Sequence, residues 1–260
     1  MVTRSARQDK KVDHSGEQKI SVKIWRPLIA RFNDKVMTAC LRRDLYLARV
    51  LAHELPHLDQ EISVPNSASA QRFVDESLDE MDRQLVSLAL PPALTAQLKD
   101  ICARKRIVRD AFFNRVFLLL AARPRAIDAL LFPDKPDWRA EIWSEYRNDG
   151  PFFQNSFYPL EPEVNPFWAL RTAFEVQAEE DETVGDYVDS ATGNKVRVTH
   201  DITGAVIPVP GIYSTLFDVR KGQTELLGFS CFLPDSRIPG TPAAKALNSK
   251  LDELLKGIEA

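Results

Sequence analysis

Disulfide frameworks, zinc ribbons and membrane spans find little to build on in this sequence. It holds three cysteines, Cys40, Cys102 and Cys231, widely scattered and without a CxxC pair. That excludes a disulfide scaffold and points to a reducing, cytoplasmic setting. The longest apolar stretch, Phe112 to Ala122, is interrupted by Asn114 and Arg115 and falls short of the ~20 residues that cross a bilayer, so no membrane partner is expected. Residues 1–18 are polar throughout, lack the apolar middle of a secretion signal and read as a disordered tail. The phosphate-loop pattern GxxxxGK, the dinucleotide pattern GxGxxG and the hydrolase pattern GxSxG are all missing, and no cofactor is implied. What remains is ample: 260 residues, 44% of them hydrophobic and 27% charged, enough for one large or two modest cores.

The net charge of -3 conceals a division. Residues 1–18 carry +1, residues 19–125 carry +6 and residues 126–260 carry -10. A polyanionic partner would therefore meet the front half.

The front half contains an internal repeat at a spacing of 66 residues, which registers without a gap from Ile20 and from Val86. Ser21 meets Ser87, Leu28 meets Leu94, Phe32 meets Leu98, and Arg43-Asp44 meets Arg109-Asp110. Each copy opens with alternation, Ile20, Val22 and Ile24 against Ser21, Lys23 and Trp25 in the first, which predicts a strand with one buried face. Proline, at Pro27 and at Pro91-Pro92, then starts a helix, where a missing N–H does no harm. Leu28, Phe32, Val36 and Met37 form an apolar stripe that Leu94, Leu98, Ile101 and Cys102 repeat. Asp44 and Asp110 are placed to cap a second, more apolar helix. Strand, helix, helix occurs twice, and a lone strand with two open edges needs its sister.

This twice-repeated pattern, over about residues 19–58 and 84–123, resembles the ribbon-helix-helix family of DNA-binding proteins, to which the Arc and methionine repressors belong. Those proteins build a two-stranded ribbon by homodimerising; the resemblance implies that this chain carries both halves as a tandem pseudo-dimer of one antiparallel ribbon and four helices. It implies further that the ribbon lies in the major groove of double-stranded DNA, with the outward residues Ser21, Lys23, Trp25, Ser87 and Ala89 on base edges. Arg42, Arg43 and Arg109, at the starts of the second helices, and the Arg104-Lys105-Arg106 turn are the expected phosphate contacts. Unequal outward residues would let one chain read an asymmetric site.

One competing motif is present. His53-Glu54-Leu55-Pro56-His57 fits the HExxH pattern of zinc hydrolases, but Pro56 falls in the turn that must stay helical. Cys40 is an expected packed or edge thiol rather than a nucleophile. Between the copies, Ile62 to Ala70 reads as a linker, followed by a helix from Ala70 to Met81. Residues 126–260 read as a separate α+β unit. Helices are expected over Trp138 to Tyr146, Pro166 to Gln177 and Pro242 to Ile258, with an aromatic cluster at Phe152, Phe153, Phe157, Tyr158, Phe167 and Trp168. Extended runs on either side of 191–194, and over Tyr213 to Val219 and Glu225 to Phe232, suggest a small antiparallel sheet.

The expectation is thus an α+β protein, not an enzyme: a tail (1–18), a tandem DNA-binding module (19–125) and a sensing or interaction domain (126–260), acting as a transcriptional regulator. The alternative is an antitoxin-like or plasmid-maintenance protein whose back half binds a protein; zinc hydrolysis ranks third. A protein or small-molecule effector at the back half, and self-association, are further partners that this organisation allows.

Overall fold

In the computed structural model, residues 16–132, 165–180, 185–188, 193, 195–217 and 224–258 are described. The segment 1–15, the helix expected over Trp138 to Tyr146 and the aromatics from Phe152 to Tyr158 lie outside them. The protein is mixed α+β, with eight helices and two small antiparallel sheets among the described residues.

Strand β1 (Gln18–Trp25) leads into α1 (Arg26–Thr38) and α2 (Arg43–Glu61); α3 (Ala68–Asp79) follows. Then β2 (Arg83–Leu90), α4 (Pro92–Lys105) and α5 (Arg109–Ala121) repeat the order of the first three elements. β1 and β2 pair antiparallel along their whole length, with Ser21 opposite Ser87. Each serine faces its own mate at the repeat spacing, so the residues on either side exchange places across the ribbon. Helix packing is exchanged in the same way, α1 against α5 and α2 against α4.

Both interhelical turns are closed alike. Cys40 (φ 54) and Arg106 (φ 50) occupy left-handed backbone at the same repeat position. The next amide in each returns to the preceding helix, Leu41 N to Val36 O and Ile107 N to Cys102 O, both at 2.9 Å. Neither turn uses glycine, the residue that adopts this conformation without cost, so both carry a small strain.

The ribbon's inner face, Val22, Ile24, Val86, Leu88 and Leu90, is buried against the helices. Beneath it Phe32 of α1 meets Phe117 of α5 edge to face, with ring centroids 4.7 Å apart. The same apolar core continues without a break into Ile212, Tyr213, Phe217, Phe229 and Leu233.

The rest of the described chain comprises α6 (Pro124–Leu131), α7 (Trp168–Glu180), the sheet β3 (Gly185–Val188), β4 (Lys195–His200) and β5 (Val206–Pro208), two 3-10 segments and α8 (Pro242–Ile258). Asp201 makes the β4–β5 turn by accepting the amides of Thr203 and Ala205, with Gly204 at φ 83.

Two expected strands are absent. Tyr213–Phe217 is a turn and Thr224–Phe229 is 3-10 helix. The reason is competition for the backbone. Glu61 accepts the amides of Tyr213 and Ser214, and the guanidinium of Arg115 donates to the carbonyls of Ile212, Thr215 and Phe229. Those groups are unavailable to a β-ladder. Gly211 is required here: a Cβ at this position would lie 2.5 Å from the Glu61 carboxylate.

The linker reading of Ile62 to Ala70 also changes in kind. Asn66 is buried and pins three segments. Its amide nitrogen donates to the carbonyls of Lys105, Arg106 and Cys231, and its oxygen accepts from Leu233 N at 2.9 Å.

Candidate nucleic-acid interface

A two-stranded ribbon leaves two edges of unpaired backbone, and here both are closed by side chains in mirrored fashion. Asp44 accepts from Ala89 N at 3.0 Å, and Asp110 from Lys23 N at 3.1 Å. Arg43 donates to Ser87 O and Arg109 to Ser21 O, each at 2.8 Å. Every one of these contacts has its counterpart at the repeat spacing. Each arginine is also bonded to its neighbouring aspartate, which keeps the pair in register with the ribbon.

This corrects the expected role of Asp44 and Asp110. They lie in the first turns of α2 and α5 but do not cap them: the N-cap positions are Arg42 and Val108, and neither helix start has a side-chain cap. An edge amide with no strand beside it is the more demanding partner, because it has no acceptor within its own strand. The carboxylates therefore serve the ribbon, and the first-turn amides of both helices keep no side-chain acceptor. Such helix starts favour anions. Asp44→Ala should accordingly lower the unfolding free energy by about 1–2 kcal/mol, read from urea denaturation, whereas Asp34→Ala on the exposed face of α1 should stay within about 0.5 kcal/mol.

One edge contact has no mirror image. Asn114 accepts from Trp25 N at 2.8 Å and donates to Lys23 O at 3.0 Å. The corresponding positions on the other edge are Ala48 and Pro91. Proline has no N–H to satisfy, so no second asparagine is needed.

Among the described residues the outward face carries three cross-strand pairs: Lys19 with Ala89, Ser21 with Ser87, and Lys23 with Leu85. All are exposed except Ala89, which is half-buried, and Leu85 is 70% exposed. Trp25 departs from its expected place among the readers. It is half-buried and packs on Phe229, with centroids 6.0 Å apart. Lys19 and Leu85 were missed by an alternation counted from Ile20 and Val86. Extending it one residue outward would have found Lys19, but a leucine at 85 resembles a core residue.

The expected phosphate contacts divide. Arg42 is exposed at the start of α2, with no ion-pair partner among the described residues. Arg43 and Arg109 remain partly exposed while holding the ribbon edges. The Arg104-Lys105-Arg106 turn divides: Arg104 and Arg106 are exposed, and only Lys105 is withdrawn from the surface. Arg104 is bonded to Asp59 and Asp100 at 3.0 and 2.8 Å, Lys105 is buried, and Arg106 donates to Asn66 O. A buried ammonium cannot reach a phosphate while α4 stays folded.

The HExxH segment sits in an unbroken α2, with Pro56 inside the helix, so the turn that carries both histidines is helical. Its chemistry is nevertheless committed elsewhere. Glu54 is fully buried, with its carboxylate held by Arg171 at 2.9 and 3.0 Å, by the Tyr213 hydroxyl at 2.6 Å and against His53 at 3.1 Å. Among the described residues no three His, Cys, Asp or Glu side chains converge as metal ligands. Burial pushes the thiols of Cys102 and Cys231 up to about 12, so neither is a thiolate near neutral pH.

Comparison of the chain with known protein families, curated protein sequences and solved structures finds no match. The functional reading therefore rests on the geometry. No described helix is long and apolar enough to cross a membrane.

Proposed function

We propose that this chain is a sequence-specific DNA-binding protein and a transcriptional regulator, built as a tandem ribbon-helix-helix pseudo-dimer that places β1 and β2 in the major groove of duplex DNA. The observation that carries the reading is a ribbon whose edges are bonded and whose inner face is buried, while Ser21, Lys23, Leu85 and Ser87 on its outer face stay exposed among the described residues. A two-stranded ribbon fits the width of the major groove, lysine donates to guanine O6 and N7, serine donates or accepts, and an apolar side chain meets the thymine methyl. The uncapped starts of α2 and α5, with Arg42 beside the first, are suited to phosphates on either side of the groove. The positive balance of residues 19–125 favours the same partner.

The outward residues define what the target should look like. β1 offers Lys, Ser and Lys; β2, read from the same end, offers Ala, Ser and Leu. The lysines line one side of the ribbon and the apolar groups the other, with a serine on each, so the two DNA strands are read differently and the site is not a palindrome. Selection of bound duplexes from a random pool by the full chain tests this. Enrichment of one non-palindromic motif is expected; a pool indistinguishable from its input after several rounds would remove the proposal.

A further inference from the structure

Away from the ribbon, a cleft of about 520 Å³ opens where the C-terminal half of α2 meets α7, the start of β4 and the segment Val209–Ile212. This volume is that of a small-molecule site. Its lining carries three cations and two acids. Lys195 and Arg197 stand two residues apart on β4, both exposed, with no carboxylate partner among the described residues. Arg171 adds a third cation. Its Nη2 is spent on the buried Glu54, and its Nε is buried with no acceptor among the described residues. A buried N–H left unmatched is costly.

Two acids share the cleft. The Glu61 carboxylate is already occupied by the Tyr213 and Ser214 amides and the Ser214 hydroxyl, which leaves Glu175 as the acid without a bonded partner among the described residues. Phe174 and Ile212, both buried, supply an apolar wall. His57 completes it, its pKa lowered by burial first and then by Arg171, so it offers a neutral ring.

We propose that this cleft binds a small organic anion, a carboxylate or phosphate monoester with an apolar body, its acid group meeting Arg171, Lys195 and Arg197 and its body lying against Phe174 and Ile212. The site goes beyond the DNA-binding reading and does not depend on it. If both hold, α2 links them: it lines the cleft with His57 and Glu61, and at its other end Arg43 and Asp44 hold β2.

Calorimetric titration of the full chain, without DNA, tests the site with four probes: phenyl phosphate, 3-phenylpropionate, inorganic phosphate and 2-phenylethylamine. Saturable binding of at least one organic anion is expected, with inorganic phosphate weaker by about tenfold and the amine not bound. Which anion binds separates the phosphate source from the carboxylate source. The double variant Lys195→Gln/Arg197→Gln should weaken the anion by about tenfold or more, while its unfolding midpoint stays near that of the parent because both side chains are exposed. Glu175→Gln should bind at least as well as the parent. Absence of saturation by either organic anion, equal binding of the amine, or unchanged binding by the double variant would each overturn the proposal, whatever the outcome with DNA.

Discussion

Arg115→Met should lower the unfolding free energy by about 3–5 kcal/mol, the usual cost of breaking a buried charged network by removing one member. The guanidinium is fully buried. It donates to Ile212 O and Thr215 O at 2.6 Å and to Phe229 O at 3.3 Å, and lies 4.1 Å from the centroid of the Phe217 ring. Burial lowers its pKa, opposed by nearby groups that include Glu61. Removing it strands three carbonyls and leaves the buried Glu61 carboxyl, whose pKa burial already raises, without the Arg115 charge that opposes that rise. Methionine fills much of the volume but accepts none of these duties. Lysine would keep the charge and lose the fork that reaches three carbonyls at once, so Arg115→Lys should fall between. The control is built into the repeat: Arg49, the mate of Arg115, is exposed, and Arg49→Met should stay within about 0.5 kcal/mol. Urea unfolding of the two methionine variants side by side decides. Equal midpoints would show that the 211–229 segment is not held by this residue.

The second large effect concerns the ribbon's outer face. Lys23→Ala should weaken binding to the selected duplex by about 1–3 kcal/mol and relax the preference at the base pair beneath it, as loss of a base-edge donor does. Leu85→Ala should behave differently. On the proposed reading it meets a thymine methyl, so the variant should lose the preference for thymine over deoxyuridine at one position while keeping the salt dependence of the parent. Trp25→Phe, at a position packed on Phe229 rather than facing outward, should leave the sequence preference unchanged. Equilibrium binding on the parent site and on single-base and uracil-substituted sites measures all three. If Lys23→Ala and Trp25→Phe gave the same specificity profile, the assignment of the outward face would be wrong.

Local patterns carried much of this architecture. Alternation marked β1 and β2, proline marked the starts of α1 and α4, and the 66-residue spacing implied that the two strands would pair. Those signals are short-range, and the structure obeys them because one buried face and one missing N–H leave few alternatives. Misreadings occurred where a residue of local meaning was claimed by a distant partner. Asp44 and Asp110 have the sequence context of helix caps, yet the ribbon edge, 45 and 87 residues away, takes their carboxylates. Lys105, expected as a phosphate contact, is buried, while its exposed neighbours Arg104 and Arg106 are bonded to Asp59 and Asn66 from elsewhere in the chain. Tyr213–Phe217 has strand composition, but Glu61 and Arg115 take its backbone groups. Pro56 counted against a helical HExxH turn, yet α2 continues through it to Glu61. The cleft beside α7 left no sequence signal, because its cations come from a helix and a strand that only folding brings together.

The central claim is that β1 and β2 together enter a duplex, and the affinity of the full chain for its selected site across a series of salt concentrations tests it most directly. Each phosphate neutralised contributes about -0.9 to the slope of log affinity against log salt. The account therefore requires a slope of about -3 or steeper, together with a margin of about a thousandfold or more over a scrambled duplex in the same buffer. A flat salt response, or equal affinity for the scrambled duplex at every salt concentration, would contradict it.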